Sequence, residues 1–513
     1  MASLAAAEEP SGVPDRDKFA RADGGKKDLE ADSDEKMKIF ENWLLDNNSK
    51  FPKLVMQKYD DEVRGVHAAE EIGPDESIIE IPLECLITVE MGKATDIGRA
   101  VLQSDLDLDA PKHVFLMLFM LIDRKNPTSH FKPYYDTLPP TLSNMPIFWS
   151  QEELALLEGS YLLVQVEERN TAIENDYKAI CHLCPDFADI STLDEFKWAR
   201  MCVCSRNFGI VVDGVRTSAM VPYADMLNHY RPRETKWTYE NHKRAFTITT
   251  LQSISVGAQV YDSYGQKCNH RFLLNYGFAI ENNCEPDGFC PNEVPFKFDL
   301  PWQDEIFDAK SAFWVRDGHG KLIRVCVSDN ENTSFAFACL RVMVATKEEF
   351  QALSGAGGTG AVALPHTVKD IRFPMSLRNE KAALTMFVGM INDKLAAYPR
   401  SLEEDKVLLA GDSLTPFSNE RHAVIQVAGE KEVLEHYKTH CQVALELLSF
   451  DVNDDAAYIG RHRELRDSGC SPWVLKYCSL DPMGTIGMCR RMERRRLQQA
   501  QEGTSDPARP HIV

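Results

Sequence analysis

The sequence predicts an α+β fold in which a β-rich domain is interrupted by a helical insert and followed by an all-α domain. Three observations predict it. Short strand-like runs separated by turn residues occupy Leu54 to Val89, and strand texture returns only after about residue 205. Between them, about residues 100–202 carry helical patterning, and from Pro301 onward helical patterning dominates again. A switch between period two and period 3.6 is the primary signal separating strand from helix. At 513 residues the chain exceeds a single ordinary core, so two or three domains are expected.

Met37 to Asn48 opens the ordered part, with Ile39, Phe40, Trp43 and Leu44 at helical spacing. Leu54-Val55-Met56, Gly65 to Ala68, Ile78 to Pro82 and Leu86 to Val89 read as strands, with Gly73-Pro74-Asp75 as a turn between two of them. In the insert, His113 to Ile122 is apolar enough for a buried helix, and Ser150-Gln151-Glu152-Glu153 has the form of a capping box. Strands are expected again at Gly209 to Val215, at Phe246 to Leu251 and at Gln259-Val260-Tyr261. Helices follow at Ala382 to Lys394 and Glu430 to Leu448.

Composition excludes several classes. No apolar run approaches the roughly 18 residues a membrane helix needs, so no membrane partner is expected. A net charge of -21 argues against nucleic-acid binding, which requires a positive surface. The exception is the basic run Arg490 to Arg496, read as a solvated helix end or a nuclear address. Fourteen cysteines without a secreted-type framework predict reduced thiols inside the cell. The acidic, Gly- and Lys-bearing start of the chain reads as a disordered leader.

The most informative residues are Ala224-Asp225-Met226-Leu227-Asn228-His229, then Tyr261-Asp262-Ser263-Tyr264-Gly265 after a strand-like segment. A Tyr-Gly pair after a strand lets a phenol project while the glycine turns the backbone; taken alone, such a tyrosine is more often structural. Tyr276-Gly277-Phe278 adds a second aromatic group, equally compatible with core packing.

Together with Arg64-Gly65-Val66-His67-Ala68, Thr88-Val89-Glu90 and Ser205-Arg206-Asn207-Phe208, these motifs in this order resemble the SET-domain protein methyltransferases, in the subfamily typified by the plant Rubisco large-subunit lysine methyltransferase and its animal relative, the actin-histidine methyltransferase. Pro133 to Pro139 resembles the helical insert. Glu403-Glu404-Asp405, Asn419-Glu420-Arg421 and Gly429-Glu430-Lys431 resemble the helical substrate-binding domain, so the likeness covers roughly residues 37–450.

The resemblance implies S-adenosylmethionine as cofactor, held by Gly65, Val66, His67, Glu90, Arg206, Asp225, Asn228 and His229. Ser205, Phe208, Tyr223 and Tyr276 would line a channel for the target side chain, and Tyr264 would be the catalytic tyrosine. No metal is implied. The expected organisation is a leader over 1–36, a SET domain over 37–295 with its insert at about 100–202, a substrate-binding domain over 296–480, and a basic, flexible tail over 481–513. A monomer acting on a protein substrate in the cytoplasm or nucleus is expected.

Phe208 and Ala224 stand where the histidine-methylating branch has a small amide and a Trp. An apolar ring cannot hydrogen-bond an imidazole, which favours lysine. The alternatives are histidine methylation on an actin-like substrate and a binding module that has lost turnover. Gly355 to Gly360 satisfies a dinucleotide-binding pattern but follows a helix, and Cys181-His182-Leu183-Cys184 lacks a second ligand pair, so both read as decoys.

Overall fold

The computed structural model describes residues 35–59, 64–318, 321–327, 331–353, 367–481 and 483–503; most of the expected leader and the Gly355 to Gly360 decoy lie outside them. The chain divides into two units, one of Met1–Leu156, Leu162–Phe289 and Pro416–His422, the other of Leu157–Tyr161, Cys290–Thr415 and Ala423–Val513.

In the first unit, the helix Glu35–Asp46 buries Met37, Phe40 and Leu44, a single apolar stripe. Leu54–Lys58 pairs antiparallel with Arg64–Ala68, Val55 opposite His67. A three-stranded sheet places Ala245–Thr250 between Ser77–Pro82 and Thr235–Glu240. A second places Val215–Met220 between Ile87–Thr88 and Asn207–Val212. The single strand expected over Gly209 to Val215 is therefore a hairpin. Asp213 and Gly214 both adopt positive φ, +48° and +81°, the Asp-Gly conformation that turns a two-residue hairpin. Thr235–Glu240 alternates apolar and polar residues and is an unanticipated partner strand.

The insert is helical, from Val89–Ala94 to Leu193–Arg206. Its helix Pro111–Asp123 buries Val114, Leu116, Met117 and Leu118 completely, which accounts for the apolar run there. The Ser150 box forms as expected: the Glu153 amide donates to the Ser150 hydroxyl (3.2 Å) and the Ser150 amide to the Glu153 carboxylate (2.8 Å).

The second unit is helical but not purely so. Glu293–Phe298 pairs antiparallel with Lys321–Cys326, a two-stranded sheet that the expected all-α domain lacked. Charged groups organise its interior. Arg341 is bound bidentately by Glu380 (both contacts 2.8 Å), and Lys431 pairs with Asp405, which also accepts from Arg400 (2.9 Å). The basic tail is helical over much of its described part. Thr485–Gly503 is a helix whose Ile486 and Cys489 are buried, and Arg490, 1% exposed, donates to the carbonyls of Asp451 (2.8 Å) and Asp454 (3.2 Å) and to the Asp455 carboxylate (3.2 Å). Those acceptors offset the cost of burying the guanidinium. Among the described residues no helix is long and apolar enough to cross a membrane. Twelve cysteines are free thiols; Cys284 and Cys290 are disulfide-bonded, against the expectation of reduced thiols throughout.

Glu430 supplies a stability test. It is buried, accepts from the Tyr398 hydroxyl (2.8 Å) and from the Gln426 amide (2.9 Å), and burial pushes its carboxyl up to about 7. A carboxyl raised in the folded state contributes stability that is complete below its unfolded value and lost as pH rises through about 7. Glu430→Gln should therefore be more stable than the parent at pH 8, by about 1–3 kcal/mol in urea titrations, with the gain vanishing near pH 4. The Gln426 Oε1 is buried without a partner, so an amide flip can accept from the new side chain. Equal stability of the two proteins at pH 8 would refute this assignment.

Candidate active site

Two two-residue strands build the centre. Asn228–His229 pairs in parallel with Tyr261–Asp262, Asn228 opposite Tyr261 and His229 opposite Asp262, so the Asn-His and Tyr-Gly motifs become neighbours. The Tyr264 amide donates to His229 Nδ1 (3.0 Å), and the Tyr264 hydroxyl donates to the Leu227 carbonyl (2.9 Å). The phenol ring lies between the His229 ring, centroid 5.1 Å away, and the Tyr276 ring, 4.8 Å away, both stacked.

Tyr276 ends the helix Asn269–Tyr276, and Gly277 terminates it in the left-handed conformation at φ +78°. A Cβ at Gly277 would lie 2.1 Å from Asn144 Nδ2, so both the conformation and the space require glycine. The turn returns Phe278 to the cluster, 6.3 Å from Tyr264 and 5.1 Å from Phe272.

Beneath the aromatic rings lies an ion pair. Arg206 Nη1 donates to Asp225 Oδ2 (3.1 Å) and to the Asp225 carbonyl (3.2 Å). Asp225 Oδ2 also accepts from the hydroxyl of Tyr134 (2.8 Å), a residue of the insert helix Lys132–Tyr135. The Asp225 side chain is wholly buried. Burial works against the charge on Arg206, but Asp225 outweighs it and holds the guanidinium charged. Burial lifts the Asp225 carboxyl, against the pull of Arg206 and Tyr134.

Burial also raises the Tyr264 phenol well above its ordinary value, so it stays protonated and can donate or orient but not take a proton. His229 is driven down to about 3 by burial and by Arg231 and Lys267, which makes it neutral. Because Nδ1 accepts from the Tyr264 amide, its proton is assigned to Nε2, a buried donor without a protein partner. Asp262 is pushed up to about 6 by burial, opposed by the Ser263 amide and Arg233.

The structure thus brings together Arg206, Asp225, Asn228, His229, Tyr264 and Tyr276. Asn228 Nδ2 donates to the Arg64 carbonyl (2.9 Å) and to Gln259 Oε1 (2.7 Å), which joins the Gly65-Val66 strand to the same centre. Gly65 is packed: a Cβ there would lie 2.2 Å from the Tyr59 hydroxyl oxygen. Glu90 lies in the first turn of the helix Val89–Ala94, where its carboxylate accepts from the Thr217 hydroxyl (3.0 Å).

Four expected residues turn elsewhere. His67 has both ring nitrogens taken, Nε2 by the Tyr59 hydroxyl (2.5 Å) and Nδ1 by the Gly257 carbonyl (2.8 Å), so its ring has no nitrogen left for a ligand. The Ser205 hydroxyl donates back to the Met201 carbonyl (2.9 Å) within its own helix. Phe208 packs edge-on against Trp237 and Phe246, at 5.5 and 5.0 Å, rather than against Tyr264. Tyr223 is fully buried and stacks on Phe51 at 4.1 Å, so it belongs to the core under the first helix. Conversely, Tyr134, Gln259 and Phe278 are members of the site to which the sequence assigned no such role. Phe278, inside the Tyr-Gly-Phe motif, and Tyr134, inside the Pro133 to Pro139 motif, carried a usable signal; Gln259 was read only as strand.

A family described as SET domain matches residues 63–265, and one described as Rubisco LSMT substrate-binding matches 301–434. Similar curated proteins include the actin-histidine N-methyltransferases of Papio anubis, 27% identical over 406 residues, and of Rattus norvegicus, 26% identical over 436. These alignments cover 77% and 80% of this chain and 66% and 71% of the relatives, so the chain spans just under two thirds of the baboon protein. Among solved structures, the SET domain of LSMT bound to lysine and AdoHcy has a TM-score of 0.65 at 22% identity, covering 85% of this chain and 96% of that one. Rubisco LSMT bound to AdoMet has a TM-score of 0.64 at 23% identity, with the same coverage. These two share the fold.

Proposed function

We propose, from the premise that this chain belongs to the SET-domain proteins that carry a Rubisco LSMT substrate-binding domain, that it is an S-adenosylmethionine-dependent protein N-methyltransferase whose acceptor is a lysine. The observation that carries the reading is the protonated Tyr264 phenol, anchored on Leu227 and stacked between His229 and Tyr276.

The donor set suits the cofactor. Asp225 Oδ1, Arg206 Nε and His229 Nε2 are buried polar atoms without protein partners, gathered around the Asn228-His229 strand. Gly65, Val66, Glu90, Arg206, Asp225, Asn228 and His229 would hold it, His67 contributing main chain rather than its ring. When bound, S-adenosylmethionine supplies a sulfonium-activated methyl group, which an amine lone pair takes as the carbon–sulfur bond breaks. The chain's own part is alignment and exclusion of water, in a site where a near-attack geometry replaces a chance encounter. Tyr264 orients the acceptor through its hydroxyl dipole. The acceptor must arrive neutral, and an aromatic surround favours loss of its proton to solvent.

Lysine is favoured because Ala224 offers nothing that could hydrogen-bond an imidazole, and Phe208, whose ring packs on Trp237 and Phe246, supplies no such group to the channel either. The names of the curated relatives favour histidine. Incubation with labelled cofactor and cell extract, then acid hydrolysis of the labelled protein, decides between them: methyl-lysine is the expected product, methyl-histidine would replace that reading, and no transfer at all would leave a binding module.

A further inference from the structure

Beside the aromatic cluster lies a group of cations that the proposed chemistry does not use. Lys267, half-buried, reaches the Tyr264 carbonyl with its Nζ, which also stands 5.8 Å from the centroid of the Tyr276 ring. Arg169, on the insert helix Tyr161–Leu183, donates to Asn275 Oδ1 (3.2 Å), one residue before Tyr276, and lies 4.0 Å from the Cys204 sulfur. The Cys204 thiol donates to the same Asn275 oxygen (3.4 Å), which ties the last turn of the helix Leu193–Arg206 to this corner.

Among the described residues neither Arg169 nor Lys267 has a carboxylate within ion-pair distance, whereas Arg200, Arg206 and Arg231 each have one. Two uncompensated cations at one corner are conspicuous in a chain of net charge -21. Arg271, exposed on the next helix, adds positive potential: after burial, it is the largest influence lowering the proton affinity of Lys267. Asp262 is the anion that acts on Lys267, but its own side is turned inward, where it is 4% exposed and accepts from the Ser263 amide (2.7 Å).

We propose that Arg169 and Lys267 form a cationic rim beside Tyr276 that receives an acidic residue of the substrate protein lying within about four residues of the methylated side chain. An extended chain advances about 3.3 Å per residue, so a carboxylate two to four residues from the acceptor is at the right range to meet cations beside the acceptor's own ring. A fixed positive charge also disfavours a protonated amine in the adjoining channel, which assists the neutral form, while the substrate carboxylate offsets the repulsion during docking. Two positive side chains flanking a phenol do not track a polynucleotide backbone.

This inference rests on the methyl-transfer reading, and the test separates the two. The acceptor labelled in extract is isolated, its methylated residue is mapped by mass spectrometry, and each Asp or Glu within four residues is changed to its amide. The expected result is at least one such acid, whose amide lowers kcat/KM about fivefold to tenfold at low ionic strength, the effect shrinking toward twofold in 0.5 M salt. Lys267→Gln and Arg169→Gln should methylate the parent and amide substrates equally, Lys267→Arg should restore the preference, and cofactor affinity should not change. An acceptor without a nearby acid, or one indifferent to its removal, overturns the proposal while leaving methyl transfer standing. Weakened cofactor binding in Lys267→Gln also overturns it, because the cation would then serve the cofactor. Transfer to no protein in extract removes the methyl-transfer reading itself, and this inference with it.

Discussion

Tyr264→Phe is expected to lower kcat for methyl transfer about 100-fold while leaving cofactor affinity near that of the parent. The reasoning is geometric. The phenylalanine ring retains its stacking between His229 and Tyr276, and the main-chain bond from residue 264 to His229 Nδ1 is untouched. Only the hydroxyl is lost, and with it the bond to Leu227 and the dipole proposed to orient the acceptor. Loss of one buried hydroxyl costs about 1 kcal/mol of stability, so the protein should remain folded at assay temperature. Rates with labelled cofactor, together with calorimetric titration of the cofactor, separate the two quantities. Undiminished kcat would take Tyr264 out of the mechanism.

Asp225→Ala should be the most damaging single change to the first unit. It leaves Arg206 charged and largely enclosed without its carboxylate, and the Tyr134 hydroxyl without its acceptor. Removing one partner of such a pair costs about 3–5 kcal/mol, far more than the pair's net worth, because the surviving charge is stranded. Asp225→Asn keeps the shape and an oxygen for Tyr134, so its cost should be smaller, about 2 kcal/mol. Urea denaturation of the three proteins measures this ordering. A loss below 1 kcal/mol in the alanine variant would mean that Arg206 is satisfied without Asp225.

Much of the architecture was legible because it is written in local patterns. The first helix with its buried Phe40 and Leu44, the Ser150 box and the apolar helix around Leu116 depend only on near neighbours in the chain, although Met37 rather than the expected Ile39, which is exposed, completes the first helix's stripe. The Asp213-Gly214 hairpin was equally local and was missed because the run was read for apolar content rather than for its turn. The burial of Arg490 in the helix Thr485–Gly503 was missed for another reason: its arginines look solvated until the carbonyls at Asp451 and Asp454 are known, and these belong to a segment more than thirty residues earlier.

The site divides in the same way. Asn228, His229 and Tyr264 lie in compact motifs whose main chains pair directly, so reading the motif was enough to place them. Phe208, Tyr223 and His67 also lie in motifs, yet the motif fixes only the backbone, and their rings turn toward Trp237, Phe51 and Tyr59. Which way a side chain turns on a given backbone is decided by packing partners distant in sequence, which a single sequence does not pair with it.

The link from Tyr134 to Asp225 carries a consequence for engineering. The insert delivers a hydroxyl to the very carboxylate that anchors Arg206, so it is no interchangeable accessory. A chimera that received a shorter excursion from a cousin, lacking a phenol at that point, would inherit intact motifs on a loosened foundation. Swapping such excursions to retune what the protein recognises would then have to carry the tyrosine along.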